Sequence, residues 1–215
     1  MRKMMGLVLA GVAAFALIAC SGNNASQSTE AAATTVSETE SGSYTVTDVR
    51  GKKIEFDAVP ERVATVGKPF LSIYYAIEGA TDNIVGCNPS SITAYNESVL
   101  KDMYPQVENA ETDWCTKDST VNVEELLKLR PDVVFIYSTK DKEIEKMENA
   151  GLKVVALRSA ELDSVKENLQ IMSAVCQREE RGEQLVQYID EEIEKVTSRL
   201  ADVAEEDKPT EERYA

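Results

Sequence analysis

The sequence predicts an α/β fold in which a Rossmann-like lobe with a parallel sheet is followed by one long helix. The run Val133–Tyr137 is β-branched or aromatic throughout, which indicates a strand buried on both faces. Short apolar strands alternate with segments of helical periodicity, a pattern typical of a parallel sheet covered by helices. An apolar stripe recurs every three or four residues over 178–206, which predicts the long helix.

Each element is predicted from local signals along the chain. A hairpin is expected over 44–49 and 53–56, before the main lobe. The helix that contains Leu126, Leu127 and Leu129 is predicted to end before Pro131, because proline cannot continue a helix. Asp163 is the expected N-cap of the helix after the last strand. The predicted strands of the sheet are 62–66, 83–87, 133–137 and 153–157, and the other predicted helices are 70–78, 97–103, 141–150 and 163–176. The helix before Pro131 has Leu126, Leu127 and Leu129 as its predicted buried face.

The first 43 residues predict export and attachment to a membrane. A basic start and an apolar run indicate a signal peptide over 1–19. The sequence Leu-Ile-Ala-Cys at 17–20 resembles a bacterial lipobox, which implies that acylation of Cys20 anchors the protein at the extracytoplasmic face of the cell membrane. An ordinary secretory signal or an uncleaved anchor is the alternative. Residues 20–43 lack large apolar side chains and are predicted to form a disordered tether.

Charge and composition exclude two classes of function. The chain has a formal net charge of -15 and no basic cluster, so nucleic acid is not an expected partner. It contains no His, the commonest general base and a usual zinc ligand. No phosphate-binding loop, dinucleotide fingerprint or nucleophile elbow occurs. The chain is therefore predicted not to be an enzyme, and no cofactor or metal site is expected.

Three cysteines remain besides Cys20, namely Cys87, Cys115 and Cys176. This odd number permits at most one internal disulfide. Cys87 and Cys115 are both expected near the carboxyl ends of the strands and would pair outside the reducing cytosol. The alternative is that all three are buried, unpaired thiols.

Three stretches occur in a fixed order along the chain. The first combines Asp-Val-Arg-Gly at 48–51 with Pro-Glu-Arg-Val-Ala at 60–64. The second is the Ala-Thr-Asp-Asn-Ile-Val-Gly segment within 77–86. The third stretch, 122–134, fits N-x-E-x-(L/I)-x-x-L-(K/R)-P-D-(V/L)-V. Together they resemble the substrate-binding lipoproteins of ABC importers for ferric siderophores, haem and cobalamin, over roughly residues 44–208.

The resemblance implies a domain organisation. An N-terminal substrate-binding lobe would occupy 44–177, and the long connecting helix 178–207. Relatives continue into a second lobe of similar size, whereas a short tail follows here at 208–215. The chain is therefore expected to carry half of a ligand cleft, with the second lobe absent. We favour a truncated reading frame over a second polypeptide that supplies the other lobe.

The loops after the strands are the expected ligand contacts, because ligands of parallel sheets bind beyond the carboxyl ends of the strands. The predicted ligand-binding residues are Lys68, Tyr95, Trp114, Lys117 and Tyr137. They come from the loops at 67–69, 88–95, 113–120 and 137–140. An exposed Trp114 ring would stack on a macrocycle or catechol, and Lys68, Lys117 or Lys140 would meet carboxylates of an anionic chelate. The alternatives are a loop anchor for Trp114 and plain solvation for each lysine.

One further residue has a predicted role in docking. The Glu of the N-x-E motif, Glu124, resembles a residue of the family that pairs with an Arg of the permease. The alternative is that its carboxylate only favours the helix dipole. The predicted function is the membrane-tethered binding component of an ABC importer, which binds a ferric siderophore, haem or cobalamin-type metal chelate and delivers it to the permease. The rival is a non-transporting remnant or a surface-tethered interaction protein.

Overall fold

The computed structural model describes residues 37–38, 42–159, 161–201 and 203 of the 215-residue chain. The predicted signal peptide, Cys20, most of the predicted tether and the tail at 208–215 lie outside the described residues. The described residues all fall within one compact unit.

The described part of the chain forms an antiparallel hairpin region, a parallel sheet and a set of covering helices. The strands are β1 (Ser37–Glu38), β2 (Tyr44–Thr47), β3 (Lys53–Phe56), β4 (Val63–Thr65), β5 (Ile84–Cys87), β6 (Val133–Tyr137) and β7 (Val154–Leu157). The α-helices are α1 (Phe70–Glu78), α2 (Pro89–Asn96), α3 (Leu100–Met103), α4 (Val123–Leu129), α5 (Asp141–Asn149), α6 (Leu162–Val175) and α7 (Glu179–Leu200). A 3-10 helix, Pro105–Asn109, follows α3.

The main sheet is parallel and has the strand order β5-β4-β6-β7. Side chains alternate between its two faces, so neighbouring residues of one strand enter different cores. On one face Val63, Phe135 and Val155 pack with α1 and α6. On the other face Ala64, Val134 and Ile136 pack with α4, α5 and the segment around Trp114. The predicted α/β class with a parallel-sheet lobe is confirmed.

The junction of α4 and β6 agrees with its sequence signals. The Asn122 side chain caps α4 by accepting a hydrogen bond from the Glu125 N–H at 3.3 Å. Arg130 ends the helix in the left-handed conformation, with φ of 48°. The Arg62 guanidinium donates to carbonyl oxygens at the helix end over 2.6 to 3.1 Å. The α4–β6 unit is therefore held at both ends of the helix.

The predicted buried face of α4 is only partly correct. Leu126 is fully buried and Leu129 is half-buried against the core. Leu127 is instead 42% exposed. The 100° turn per residue explains the difference, because consecutive residues such as Leu126 and Leu127 point in different directions around a helix.

Residues 88–95 were predicted as a loop, and this prediction is wrong. They form most of α2, which the Asn88 side chain caps by accepting a hydrogen bond from the Ser90 N–H at 2.8 Å. Pro89 at the first helical position has no N–H that would need a partner. The predicted helix over 97–103 is reduced to the short α3.

Apart from the long helix, the other predicted helices and strands agree with the structure to within two residues at their start and end. The cap of α6 is an exception. Glu161 occupies the N-cap position without a side-chain hydrogen bond, and Asp163 lies in the first turn. Asp163 therefore favours the helix dipole and is not the cap.

The hairpin of β2 and β3 is part of the core and does not merely precede the lobe. Its alternating residues Tyr44, Val46, Ile54 and Phe56 are buried with α6 beneath them. The Tyr44 hydroxyl donates a hydrogen bond to the carbonyl of Val175, at the end of α6. The hairpin consequently covers one end of the core that α6 and α1 build on the sheet.

The long helix predicted over 178–206 is observed as α7, whose bounds are Glu179–Leu200. It packs closely on α6, and Gly182 makes this approach possible: a Cβ there would lie 2.2 Å from the Ser173 Oγ. Further along the helix, Tyr188 and Val196 are 60% and 56% exposed. Within the described residues, no helix combines the length and apolar character needed to span a bilayer.

Candidate functional site

The loops that follow β4, β5 and β6 come together at one edge of the sheet, because the strands are parallel. Backbone hydrogen bonds to the neighbouring strands fix the residues that directly follow β5 and β6. The Asn88 N–H donates to the Thr65 carbonyl at 2.9 Å, and the Ser138 N–H donates to the Leu157 carbonyl at 2.8 Å. This carboxyl edge is the place where the sequence predicts a ligand.

One buried side chain joins the loop after β4, the start of α2 after β5 and the loop 116–120. Asn88 is 1% exposed, and its Nδ2 donates to the carbonyls of Val66 at 2.9 Å and Thr116 at 3.1 Å. Its Oδ1 meanwhile caps α2. This role was not predicted from the residue pattern, although an Asn directly before a Pro is a recognisable helix start.

The segment 116–120 is a tight loop closed by its own polar groups. The Thr116 N–H donates to the Thr120 carbonyl at 2.9 Å, and both threonine hydroxyls donate to the Asp118 carboxylate. The hydrogen bond from Thr116 is the main reason that the pKa of Asp118 is lowered. Lys140 Nζ donates to the Asp118 carbonyl at 2.6 Å and ties this loop to the one after β6.

The loop residue Ser119 adds a contact to the loop after β4. It adopts φ of 69°, and its hydroxyl donates to the Val66 carbonyl at 3.3 Å. The loop is therefore joined to its neighbours through Asn88, Ser119 and Lys140. This leaves Lys117 at an exposed position on a well-supported loop.

Two of the predicted ligand-binding lysines are exposed at this edge. Lys68 follows β4 and Lys117 lies in the loop 116–120, and neither forms an ion pair with any residue that the structure describes. Lys140 differs, because its ammonium group already holds a loop. This edge therefore offers two ammonium groups without an ion-pair partner among the described residues, alongside the exposed carboxylates of Asp113 and Asp118.

Tyr137 is half-buried at the end of β6. Its ring lies 4.8 Å from that of Phe70, measured between centroids, and the two rings are tilted at 52°. Burial raises the pKa of the Tyr137 hydroxyl, so the group is neutral near pH 7. It can therefore offer an aromatic edge and a neutral hydroxyl at the carboxyl edge of the sheet.

The expectation that Trp114 and Tyr95 contact a ligand is revised, because both rings lie in the core. Trp114 is 1% exposed and donates from Nε1 to the Glu111 carbonyl at 2.9 Å. Tyr95 is 2% exposed and donates to the Tyr104 carbonyl at 2.9 Å. Their polar atoms are already satisfied inside the chain. The structure favours the alternative role of Trp114 as a loop anchor.

Glu124 is exposed in the first turn of α4. The neighbouring Glu125 pairs with Lys128 over 2.7 Å. Glu124 itself makes no hydrogen bond or ion pair with any residue in the described part of the chain. Its carboxylate is therefore available to a partner.

The cysteines follow the second of the two predicted alternatives. Cys87, Cys115 and Cys176 are free and buried. Burial raises the pKa of Cys87 and of Cys115 to about 12 and also raises that of Cys176, so all three remain neutral thiols. Among residues 37–38, 42–159, 161–201 and 203, no group of three or more Cys, Asp or Glu is placed to hold a metal ion.

A parallel-sheet lobe whose polar loops gather at the carboxyl edge belongs to the class of α/β ligand-binding folds. Comparison with known families gives a more definite assignment. The periplasmic binding protein family matches residues 63–210, which is more than half of the chain. The chain belongs to this family.

Individual relatives agree with the family assignment. The chain is 22% identical over 214 residues to YvrC of Bacillus subtilis (strain 168), an uncharacterized ABC transporter substrate-binding lipoprotein. The alignment covers 97% of this chain and 62% of YvrC. The crystal structure of a periplasmic solute binding protein from Veillonella parvula superposes with a TM-score of 0.71 at 27% identity, over 75% of this chain and 49% of that protein.

A more distant structure shares the fold. MolA of Haemophilus influenzae, a molybdate periplasmic binding protein solved with molybdate, gives a TM-score of 0.62 at 22% identity. That match covers 76% of this chain and 55% of MolA. The chain thus spans between 49% and 62% of the length of these three relatives.

Proposed function

We propose that this chain is the membrane-tethered binding component of an ABC importer for a metal chelate of the ferric siderophore, haem or cobalamin type. The carboxyl edge of the sheet forms one wall of the ligand cleft. Lys68, Lys117 and Tyr137 contact the ligand there. Acylated Cys20 anchors the protein at the extracytoplasmic face of the cell membrane, and residues 20–43 serve as its tether.

The two lysines without an ion-pair partner at this edge support the proposal most directly. Lys68 and Lys117 lie exposed on linked loops of a strongly acidic chain, and neither is neutralised by an ion pair with a described residue. Carboxylate or catecholate groups of a chelate would find complementary charge there. The ring of Tyr137 would supply apolar contact beside that charge.

Ligand binding should raise the unfolding temperature of the purified chain. A ligand present at 100 times its Kd stabilises a protein by about 2.7 kcal/mol, because it binds only the folded state. Thermal unfolding with a panel of ferric siderophores, haem and cobalamin measures this directly. We expect an upward shift with one ligand class. A cooperative transition that no member of the panel shifts would contradict this role and favour the interaction protein.

The lysines provide the matched comparison. Lys68→Gln and Lys117→Gln should each reduce the shift produced by an anionic ligand, since each removes one complementary charge. Lys53→Gln removes an exposed charge from β3 and should leave the shift unchanged. Equal shifts in all three variants would show that the ligand does not contact the proposed lysines.

We further propose that Glu124 docks the protein on its permease through an Arg of that partner. Glu124→Lys reverses the charge and should weaken binding to the permease strongly, because two like charges would then face each other. Ligand affinity should stay unchanged, since Glu124 lies on α4 and not in the loops that carry the lysines. Lost ligand affinity with normal docking would contradict this role.

A further inference from the structure

Lys117 has a free side chain on a backbone that is held from both sides. Its ammonium group forms no hydrogen bond or ion pair with a described residue. The carbonyl of the preceding Thr116 accepts a hydrogen bond from Asn88 Nδ2 at 3.1 Å. The carbonyl of the following Asp118 accepts one from Lys140 Nζ at 2.6 Å. The backbone position of Lys117 is therefore fixed, whereas its charge stays available.

The backbone around Lys68 is held in the same way. The Lys68 carbonyl accepts a hydrogen bond from the Ser91 hydroxyl at 3.0 Å. Two residues earlier, the Val66 carbonyl accepts from Asn88 Nδ2 at 2.9 Å and from the Ser119 hydroxyl at 3.3 Å. Asn88 and Ser91 both belong to the start of α2. The start of one helix thus holds the backbone beside both lysines.

Asn88 is the side chain that contacts both loops. It is 1% exposed, and its amide oxygen and nitrogen are both hydrogen-bonded. A buried side chain that donates to two loops keeps the separation of those loops constant. Because Asn88 is shielded from solvent, a molecule at the carboxyl edge would not contact it. Asn88 can affect binding only through the residues that it positions.

We infer that Asn88 is a positioning residue for ligand binding, because it fixes the spacing of Lys68 and Lys117 before a ligand arrives. This inference rests on the proposed function, in which these two lysines contact the ligand. Loops that are already ordered lose less conformational freedom on binding, which favours affinity. Two charges at a constant spacing also favour ligands whose anionic groups have the same spacing.

The substitution Asn88→Ser separates positioning from helix capping. Serine is also a good N-cap, so α2 keeps its start, but a single short hydroxyl cannot donate to the carbonyls of both Val66 and Thr116. Asn122→Ser is the matched control. The Asn122 side chain caps α4 by accepting from the Glu125 N–H, and it makes no other hydrogen bond with a described residue.

Two anionic iron complexes serve as probes: ferric citrate presents carboxylates, and ferric ion with three catechol molecules presents catecholates. Isothermal titration calorimetry of the full chain gives the Kd of each probe. For a probe that the wild-type chain binds, we expect about a tenfold weaker Kd in Asn88→Ser, because the loops must then be ordered on binding. Asn122→Ser should bind that probe with wild-type affinity.

A double-mutant cycle with Lys117→Gln distinguishes positioning from a general loss of stability. In the Lys117→Gln background, Asn88→Ser should lose most of its effect on the Kd, because a charge that is absent cannot be misplaced. A merely structural role would not produce this coupling. Circular dichroism confirms that each variant is folded, and Asn88→Thr, which also caps and fills more of the space, replaces an unfolded Asn88→Ser.

Two results would overturn the role of Asn88 and leave the proposed function intact. One is wild-type affinity in a folded Asn88→Ser variant. The other is an equal effect of Asn88→Ser with and without Lys117→Gln. If the wild-type chain binds neither probe, the proposed contact of the lysines with an anionic chelate fails, and the role of Asn88 fails with it.

Discussion

Asp48→Ala is expected to lower the free energy of unfolding by about 3 to 5 kcal/mol, because it leaves buried polar groups without their partner. The Asp48 carboxylate is completely buried. The Arg50 guanidinium donates to it from two nitrogens over 2.6 and 2.8 Å. The Ala156 N–H of β7 donates to the same carboxylate at 3.0 Å. One side chain thus joins the hairpin turn to the edge strand of the main sheet.

The surrounding charges explain why removal of this carboxylate costs so much. Arg50 also donates to Glu148 at 2.9 Å, and Lys52 lies 2.8 Å from the same carboxylate. Burial alone would raise the pKa of Glu148, but the hydrogen bonds from Lys52 and Arg50 outweigh burial and lower it. Without Asp48, Arg50 would lose its most buried partner and the Ala156 N–H would have no acceptor.

Urea denaturation followed by circular dichroism measures the change. Asp48→Asn keeps an oxygen for the Ala156 N–H but removes the charge, so its loss should be smaller than that of Asp48→Ala. Asp57→Ala serves as the control, since the Asp57 side chain is 93% exposed and its contact with Lys153 is long at 3.4 Å. An Asp48→Ala variant as stable as Asp57→Ala would show that the buried carboxylate does not hold the hairpin.

Trp114→Ala should cost about 3 to 5 kcal/mol, the usual range for truncation of a buried aromatic side chain. The ring fills the space above Gly86, where a Cβ would lie 2.4 Å from Trp114 Nε1 and 2.9 Å from Leu129 Cδ1. The substitution would leave a cavity between β5 and α4. It would also remove one of the two hydrogen bonds to the Glu111 carbonyl, which keeps the Cys87 N–H as a donor at 3.0 Å.

The two roles considered for Trp114 give opposite results. If Trp114 anchors its loop, Trp114→Ala should lose much of its stability. Circular dichroism measures this loss, because the variant lacks the only tryptophan of the chain and cannot be followed by tryptophan fluorescence. The anchor role also predicts that acrylamide hardly quenches the Trp114 fluorescence of the native protein. Gly86→Ala should destabilise as well, because its methyl group competes with the ring for one space. If Trp114→Ala keeps its stability but its unfolding temperature no longer rises with ligand, the ring contacts the ligand and is not a loop anchor.

The strands, most helices and the class of the fold were predictable, because their signals are local. The turn at Pro131 and the apolar run after it define the α4–β6 junction within a few residues. Helix α2 was not predicted although Asn88 and Pro89 form a local start signal, because the segment has too little apolar periodicity to indicate a helix. For the site, the segments 67–69, 113–120 and 137–140 are loops at one edge as predicted, whereas 88–95 forms most of α2. The sequence did not separate exposed side chains from buried ones.

The sequence by itself determined the order of the elements, the acidic charge and the motifs that indicate the family, since these depend on residue types and short spacings. Only the tertiary structure decided that Trp114 and Tyr95 face inward, that Leu127 faces outward and that Asn88 joins two loops to the start of α2. It also decided that Asp48 bonds to Ala156, 108 residues away along the chain. The physical reason is that burial and hydrogen bonding depend on which distant segments pack together, and local periodicity does not encode that choice.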